Sequence, residues 1–142
     1  DNVCYASPQA SRDDAIAAAG AVGLHEFVVT LPQGYDTIVG ERGTRLSAGQ
    51  RQRIALARAV LKKPKILVLD EAMSGLDTAS EADVRLALTS VLPGCTILVV
   101  THRLTALHNE DAVIVLKEGR VVWQGVYAAL IEAPEIIYIA AE

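Results

Sequence analysis

The 142-residue chain lacks the marks of several large protein classes. Its two cysteines, Cys4 and Cys95, lie far apart and outside any CxxC pair. That argues against a disulfide framework or a cysteine zinc site and fits a reducing compartment. The longest apolar runs, IAAAGAVGL and CTILVV, fall well short of the roughly 20 residues of a membrane-spanning helix. No basic-then-apolar leader pattern stands at the start. The basic excess of a nucleic-acid binder is missing too, with 13 Lys and Arg against 17 Asp and Glu, a net charge of −4. There is no repeat and no low-complexity linker. Nor is there a G-x-x-x-x-G-K-[ST] loop, whose backbone N–H groups and lysine cradle nucleotide phosphates. What is present is a 51 % apolar chain, too rich for disorder and long enough for one modest domain with a core.

Local patterns divide it into elements. Ser11 precedes RDDAIAAAGAVGL as a helix cap, with Asp13 and Asp14 at the positive end of the helix dipole. LHEFVVTL reads as a short helix or turn, and residues 35–46 as a loop. Over residues 47–63, Ile54, Ala57 and Leu61 share a helical face widened by Leu56 and Val60, and Pro64 stops the helix. KILVLD and CTILVVT are continuous apolar runs and predict buried parallel strands. Between them residues 78–92 form a helical crossover, with Val84, Leu88 and Val91 on one face. DAVIVLKEGRVVWQG predicts two strands around a turn at residues 117–119, and the tail VYAALIEAPEIIYIAAE a helix to about Pro134.

Three stretches carry chemistry. In LSAGQ, Ser47 and Gln50 have capping-box spacing, and a helix start with free N–H groups and a positive dipole end suits phosphate. Gly49 lets a ligand come close to the backbone; an ordinary capped helix explains the same five residues. In ILVLDE, Asp70 ends a parallel strand, the edge at which α/β proteins bind ligands. It is placed to hold Mg²⁺ through water, and Glu71 to take a proton from an attacking water. Asp77 of MSGLD is a good helix cap before Thr78. His102, just after the second strand in VVTHR, falls at the sheet edge of Asp70 and Glu71, whereas His25 and His108 read as surface residues.

In this order the motifs resemble the nucleotide-binding domain of ATP-binding cassette (ABC) transporters. LSAGQ resembles the family's signature motif, ILVLDE its Walker B strand, SGLD its D-loop and His102 its switch histidine. GYDTIVGERG and the opening DNVCYASPQASRDDAIAAAGAVGLHEFV resemble exporter-type cassettes fused to membrane domains.

The resemblance implies an α/β fold: a partial P-loop NTPase (RecA-like) core with a mainly parallel sheet, plus a helical subdomain. Residues 1–63 would be the helical subdomain ending in the signature helix, and residues 64–142 the C-terminal part of the ATPase core. It implies ATP and Mg²⁺ as cofactors and a cassette dimer in which each signature helix serves the partner's ATP. Ser47, Ala48, Gly49 and Gln50 would then face the partner's γ-phosphate. Asp70 would hold the metal, Glu71 act as general base and His102 touch the γ-phosphate of the chain's own ATP. Ser74 and Asp77 would report across the dimer interface. Glu41, Arg42 and Gly43 would meet the membrane domains, at the cytoplasmic face of a membrane.

Two departures look small: Ala48 stands where the signature usually has Gly, and Gly75 where the D-loop usually has Ala. The large one is the missing phosphate loop. With Asp1 at the start instead of Met, it implies the C-terminal part of a cassette, inactive alone, whose second strand has lost a neighbour and exposes an aggregation-prone edge. The competing readings are a non-catalytic donor of the signature helix, against which Glu71 and His102 argue, and a chromosome-maintenance ATPase. The latter would require a coiled-coil insertion and a basic surface that the chain lacks.

Overall fold

The computed structural model describes residues 2–104 and 107–132. The chain forms two compact units, residues 1–100 and 101–142.

The larger unit begins with helix α1 (Arg12–Ala21). Ser11 Oγ accepts from the Asp14 amide at 3.1 Å, and the Asp14 carboxylate accepts from the Ser11 amide at 3.0 Å. This closes a reciprocal capping box. The helix ends before Gly23, whose φ of 64° suits a residue without a Cβ. A short helix, α2 (His25–Val29), follows, then two 3-10 turns at Gly34–Asp36 and Glu41–Gly43. Helix α3 (Ala48–Leu61) starts at its Ser47 cap and ends with Lys63 at a φ of 47°, directly before Pro64.

Strands β1 (Ile66–Asp70) and β2 (Thr96–Val100) pair in parallel, with Ile66 beside Thr96 and Asp70 beside Val100. Helix α4 (Thr78–Val91) is their crossover, as the sequence pattern predicts. The core lies among α1, α3, α4 and one face of this sheet. It is built on small residues of α1 (Ala15, Ala18, Ala19) and α3 (Ala57), which let the two helices approach closely, and on Leu56, Leu67, Leu69, Val84 and Leu88. Each fully buried Leu or Val removes apolar surface worth about 1.5–3 kcal/mol.

Two expectations are corrected here. Neither strand is buried on both faces. The β1 residues alternate, with Leu67 and Leu69 in the core and Ile66 and Val68 exposed at 67 % and 55 %. Leu98 and Val100 of β2 lie on the same open face. Among the described residues, helices of the larger unit cover one side of this sheet, and period-two alternation then divides an apolar run into a wet and a dry half. On α4, Val84 and Leu88 are buried, but Val91 is exposed, and Glu81 and Leu92 are buried instead. Leu92 turns inward because the helix has ended there, with a φ of −119°.

The smaller unit holds an antiparallel hairpin of β3 (Ala112–Lys117) and β4 (Arg120–Val126), followed by α5 (Tyr127–Ile131). The turn is Glu118-Gly119, with φ of 50° and 73°. Positive φ at both central residues is the two-residue hairpin geometry whose twist matches that of the strands. Val115 and Leu130 are buried. The rest of the expected tail helix, from residue 133, lies outside the described residues. The chain is thus mixed α/β, with a parallel sheet in the larger unit and an antiparallel ribbon in the smaller.

Candidate functional site

The start of α3 is built as the pentapeptide predicts. The Gln50 amide donates to Ser47 Oγ at 3.2 Å, and Gln50 Oε1 accepts from the Ser47 amide at 2.8 Å. Gln50 is thus held against the helix start, and the first-turn N–H groups supply the positive end of the dipole. Ser47 is exposed, and Ala48, the first helical residue, carries no side chain that would cover the backbone. The turn before it is fixed by backbone bonds from Arg45 to Val39 and from Leu46 to Gly43, and by Arg51 donating to the Leu46 carbonyl. Within that turn Glu41, Arg42 and Gly43 form one 3-10 turn, with Arg42 at a φ of 52°.

Asp70 ends β1 and is exposed, and Glu71 follows it at the rim of the sheet. The Glu71 amide donates to the Val100 carbonyl at 3.0 Å, which extends the parallel ladder by one bond. Glu71 has a φ of 46°, a left-handed conformation that is disfavoured for a residue with a Cβ. The chain then turns sharply: Ser74 donates from its amide to the Glu71 carbonyl at 3.1 Å, and Leu76 to Met73 at 3.0 Å. Met73 and Leu76 are buried, which pins the turn to the core.

Asp77 caps α4 by accepting from the Ser80 amide at 3.0 Å. Bonding to the Ser80 side chain and amide holds its carboxyl below the ordinary carboxylate value. His102 is exposed and lies in the smaller unit, two residues beyond Val100, the residue paired with Asp70.

The fold brings LSAGQ and SGLD together through a residue that the sequence reading passed over. Gln52 Nε2 donates to Ser74 Oγ at 3.2 Å, and Gln52 Oε1 accepts from the Gly75 amide at 2.9 Å. Gly49 packs on the same loop, where a Cβ would stand 3.0 Å from the Gly75 carbonyl oxygen. At position 75, the second small departure, a Cβ would sit 2.6 Å from Gln52 Oε1, the movable end of a flexible side chain. The only sequence signal for Gln52 was its spacing, one helical turn beyond Ala48.

His25 is also corrected. It is not a bare surface residue but is half-buried, with Nδ1 2.9 Å from the Tyr35 hydroxyl. Burial raises the Tyr35 pKa. His108 is exposed, as expected. A cavity of about 300 Å³ lies elsewhere in the larger unit, lined by Val3, Leu24, Phe27, Tyr35 and Val39 among others, and none of the candidate residues lines it. Ser47, Ala48, Asp70, Glu71, Ser74 and Asp77 are all exposed. Among the described residues no group of three or more His, Cys, Asp or Glu forms a metal cluster, and no helix is long and apolar enough to cross a membrane.

The profile of the ABC transporter family matches residues 7–74. The ATP-dependent lipid A-core flippase of Syntrophus aciditrophicus is 47 % identical over 131 residues, covering 92 % of this chain and 22 % of the flippase. ABC transporter B family member 19 of Arabidopsis thaliana is 51 % identical over 131 residues, again 92 % of this chain but 10 % of the relative. The alpha-hemolysin translocation ATP-binding protein HlyB of Escherichia coli is 44 % identical over 138 residues, 97 % of this chain and 20 % of HlyB. A bacterial Atm1-family ABC exporter solved with ATP bound superposes with a TM-score of 0.89 at 39 % identity, covering 99 % of this chain and 25 % of the exporter. The chain spans a quarter or less of the length of each of these relatives. It belongs to the ABC transporter family and carries nucleotide-binding-domain sequence of the exporter type.

Proposed function

We propose that these residues are the signature and Walker B half of an ATP-hydrolysing cassette that powers an exporter at the cytoplasmic face of a membrane. The observation that carries this reading is the exposed, capped start of α3 locked beside the SGLD turn. An exposed phosphate-binding helix start suits a nucleotide carried by another body. The similar exporter solved with ATP supports ATP as that nucleotide.

In this reading residues 1–63 are the helical subdomain, and residues 64–142 belong to the ATPase core. Ser47, Ala48, Gly49 and Gln50 offer the helix N-terminus to the γ-phosphate of a second cassette's ATP. The chain's own ATP is served by Asp70, Glu71 and His102. Asp70, exposed at a strand end, fits Mg²⁺, which keeps several waters and takes few protein carboxylates. When bound, the ion supplies charge neutralisation at the phosphates. Glu71 accepts the proton of the attacking water, and His102 donates to the γ-phosphate. Ser74 and Asp77 line the dimer interface. The Glu41–Gly43 turn, whose two positive-φ residues fix its shape, meets the membrane domains.

The test is Glu71→Gln in the full-length protein carrying these residues. ATP turnover should fall by about 10²–10⁴-fold while ATP binding persists. Unchanged turnover removes Glu71 as the base. The 142-residue chain alone, which has no G-x-x-x-x-G-K-[ST] loop, should not hydrolyse Mg-ATP.

A further inference from the structure

Building on the proposed function, the geometry points to Gln52 as a positioning residue that joins the two nucleotide sites. The helix start that would serve one ATP and the Glu71 that would serve the other are linked by one short hydrogen-bonded path. Gln52 lies four residues beyond Ala48 and three beyond Gly49, on the face of α3 beneath its first turn. Its side chain leans toward the helix N-terminus, as helical side chains do. Both ends of the amide are used: Nε2 donates to Ser74 Oγ at 3.2 Å, and Oε1 accepts from the Gly75 amide at 2.9 Å. Reversing the amide would set its NH₂ against the Gly75 N–H, so the orientation is fixed. Ser74 in turn donates from its amide to the Glu71 carbonyl at 3.1 Å.

Two glycines make this approach possible. A Cβ on Gly75 would meet Gln52 Oε1 at 2.6 Å, and a Cβ on Gly49 would meet the Gly75 carbonyl oxygen at 3.0 Å. Gly75 therefore accommodates Gln52, and an alanine there would require the amide end of Gln52 to shift. The start of α3 and the loop after Glu71 then move as one body, and a shift in one is imposed on the other.

The test has a structural and a kinetic arm. In the 142-residue chain, Gln52→Ala should accelerate amide hydrogen exchange at Gly75 by about tenfold. Gln52→Glu, which still accepts from the Gly75 amide and can accept from the Ser74 hydroxyl, should restore protection. In the full-length protein, Gln52→Ala should lower kcat for ATP by about tenfold with KM within about twofold. Gln52→Glu should keep most of kcat. Gly75→Ala should reproduce Gln52→Ala, and the double variant should be no worse than either single one. Wild-type kcat in both Gln52→Ala and Gly75→Ala, or a double variant whose losses multiply, overturns the inference. Those outcomes leave the proposed function standing, because that reading depends on Glu71→Gln.

Discussion

Arg53 of α3 closes the C-terminal end of α1 by donating from one guanidinium nitrogen to the Gly23 carbonyl at 2.7 Å. The same nitrogen reaches the Val22 carbonyl at 3.2 Å. Carbonyls at a helix end have no partner within the helix, and a positive charge there complements the dipole. A Cβ on Gly23 would run into this Arg53 nitrogen, and Gly23 also has a positive φ. Arg53→Ala leaves two carbonyls without their partner beside the fully buried Val22. It should cost about 1–3 kcal/mol, read as a lower urea midpoint with an unchanged m-value. Gly23→Ala should also destabilise, through both the clash and the backbone strain.

The caps of α1 and α4 predict the acid limb of stability. Asp14 is held below its ordinary value of 3.8 by the Ser11 side chain and amide, and Asp77 by those of Ser80. A depressed folded pKa stabilises the fold at pH above the ordinary value. That contribution is lost as pH falls through the folded pKa. Urea midpoints should therefore fall as pH drops below the ordinary carboxylate value of 3.8 toward the lower folded values. Asp77→Asn keeps an acceptor for the Ser80 amide but removes the titration, so its drop should be shallower. An identical acid limb in Asp77→Asn would show that Asp77 contributes nothing to it.

The two faces of β1 should respond oppositely to substitution. Leu69 is 3 % exposed and Val68 55 %. Leu69→Ala should cost about 2–5 kcal/mol, because it empties a filled core site. Val68→Thr and Leu98→Thr lie on the open face and should each change stability by less than about 0.5 kcal/mol. Together they should reduce concentration-dependent association of the chain, measured by sedimentation velocity, since a contiguous exposed apolar face drives self-association.

At the hairpin, Glu118 holds a φ of 50° ahead of Gly119 at 73°. Asn tolerates that region better than Glu. Glu118→Asn should slow hydrogen exchange across β3 and β4 by about twofold, on the order of 0.5 kcal/mol. The pairing of Lys117 with Arg120 should stay intact.

The elements were legible wherever the signal was local. Ser11, Ser47 and Asp77 each announced a helix start, and each side chain accepts the predicted backbone bond. The crossover between β1 and β2 followed from a helical period between two apolar runs. The exposure of Ile66 and Val68 was not legible, because residues 66–69 are apolar on both faces of the strand, and periodicity does not say which face is covered. The His25–Tyr35 contact joins residues ten apart through two turns whose shape the sequence leaves open. Gln52 stayed hidden for a related reason. A glutamine among arginines on a helix looks like solvated surface until the loop 22 residues on is folded against it. In the site itself, residue types and their order were readable from the chain, while the contact between α3 and the SGLD turn required the fold.

The positive φ of Glu71 sets two demands on one residue against each other. Glycine would take that backbone shape without strain, and a side chain there costs on the order of 1 kcal/mol. The proposed chemistry requires a carboxylate at the same place. Glu71→Gly should therefore make the chain harder to unfold while removing the proton acceptor. A screen for thermal stability alone would select against the engine, and position 71 is where stability and turnover would be traded.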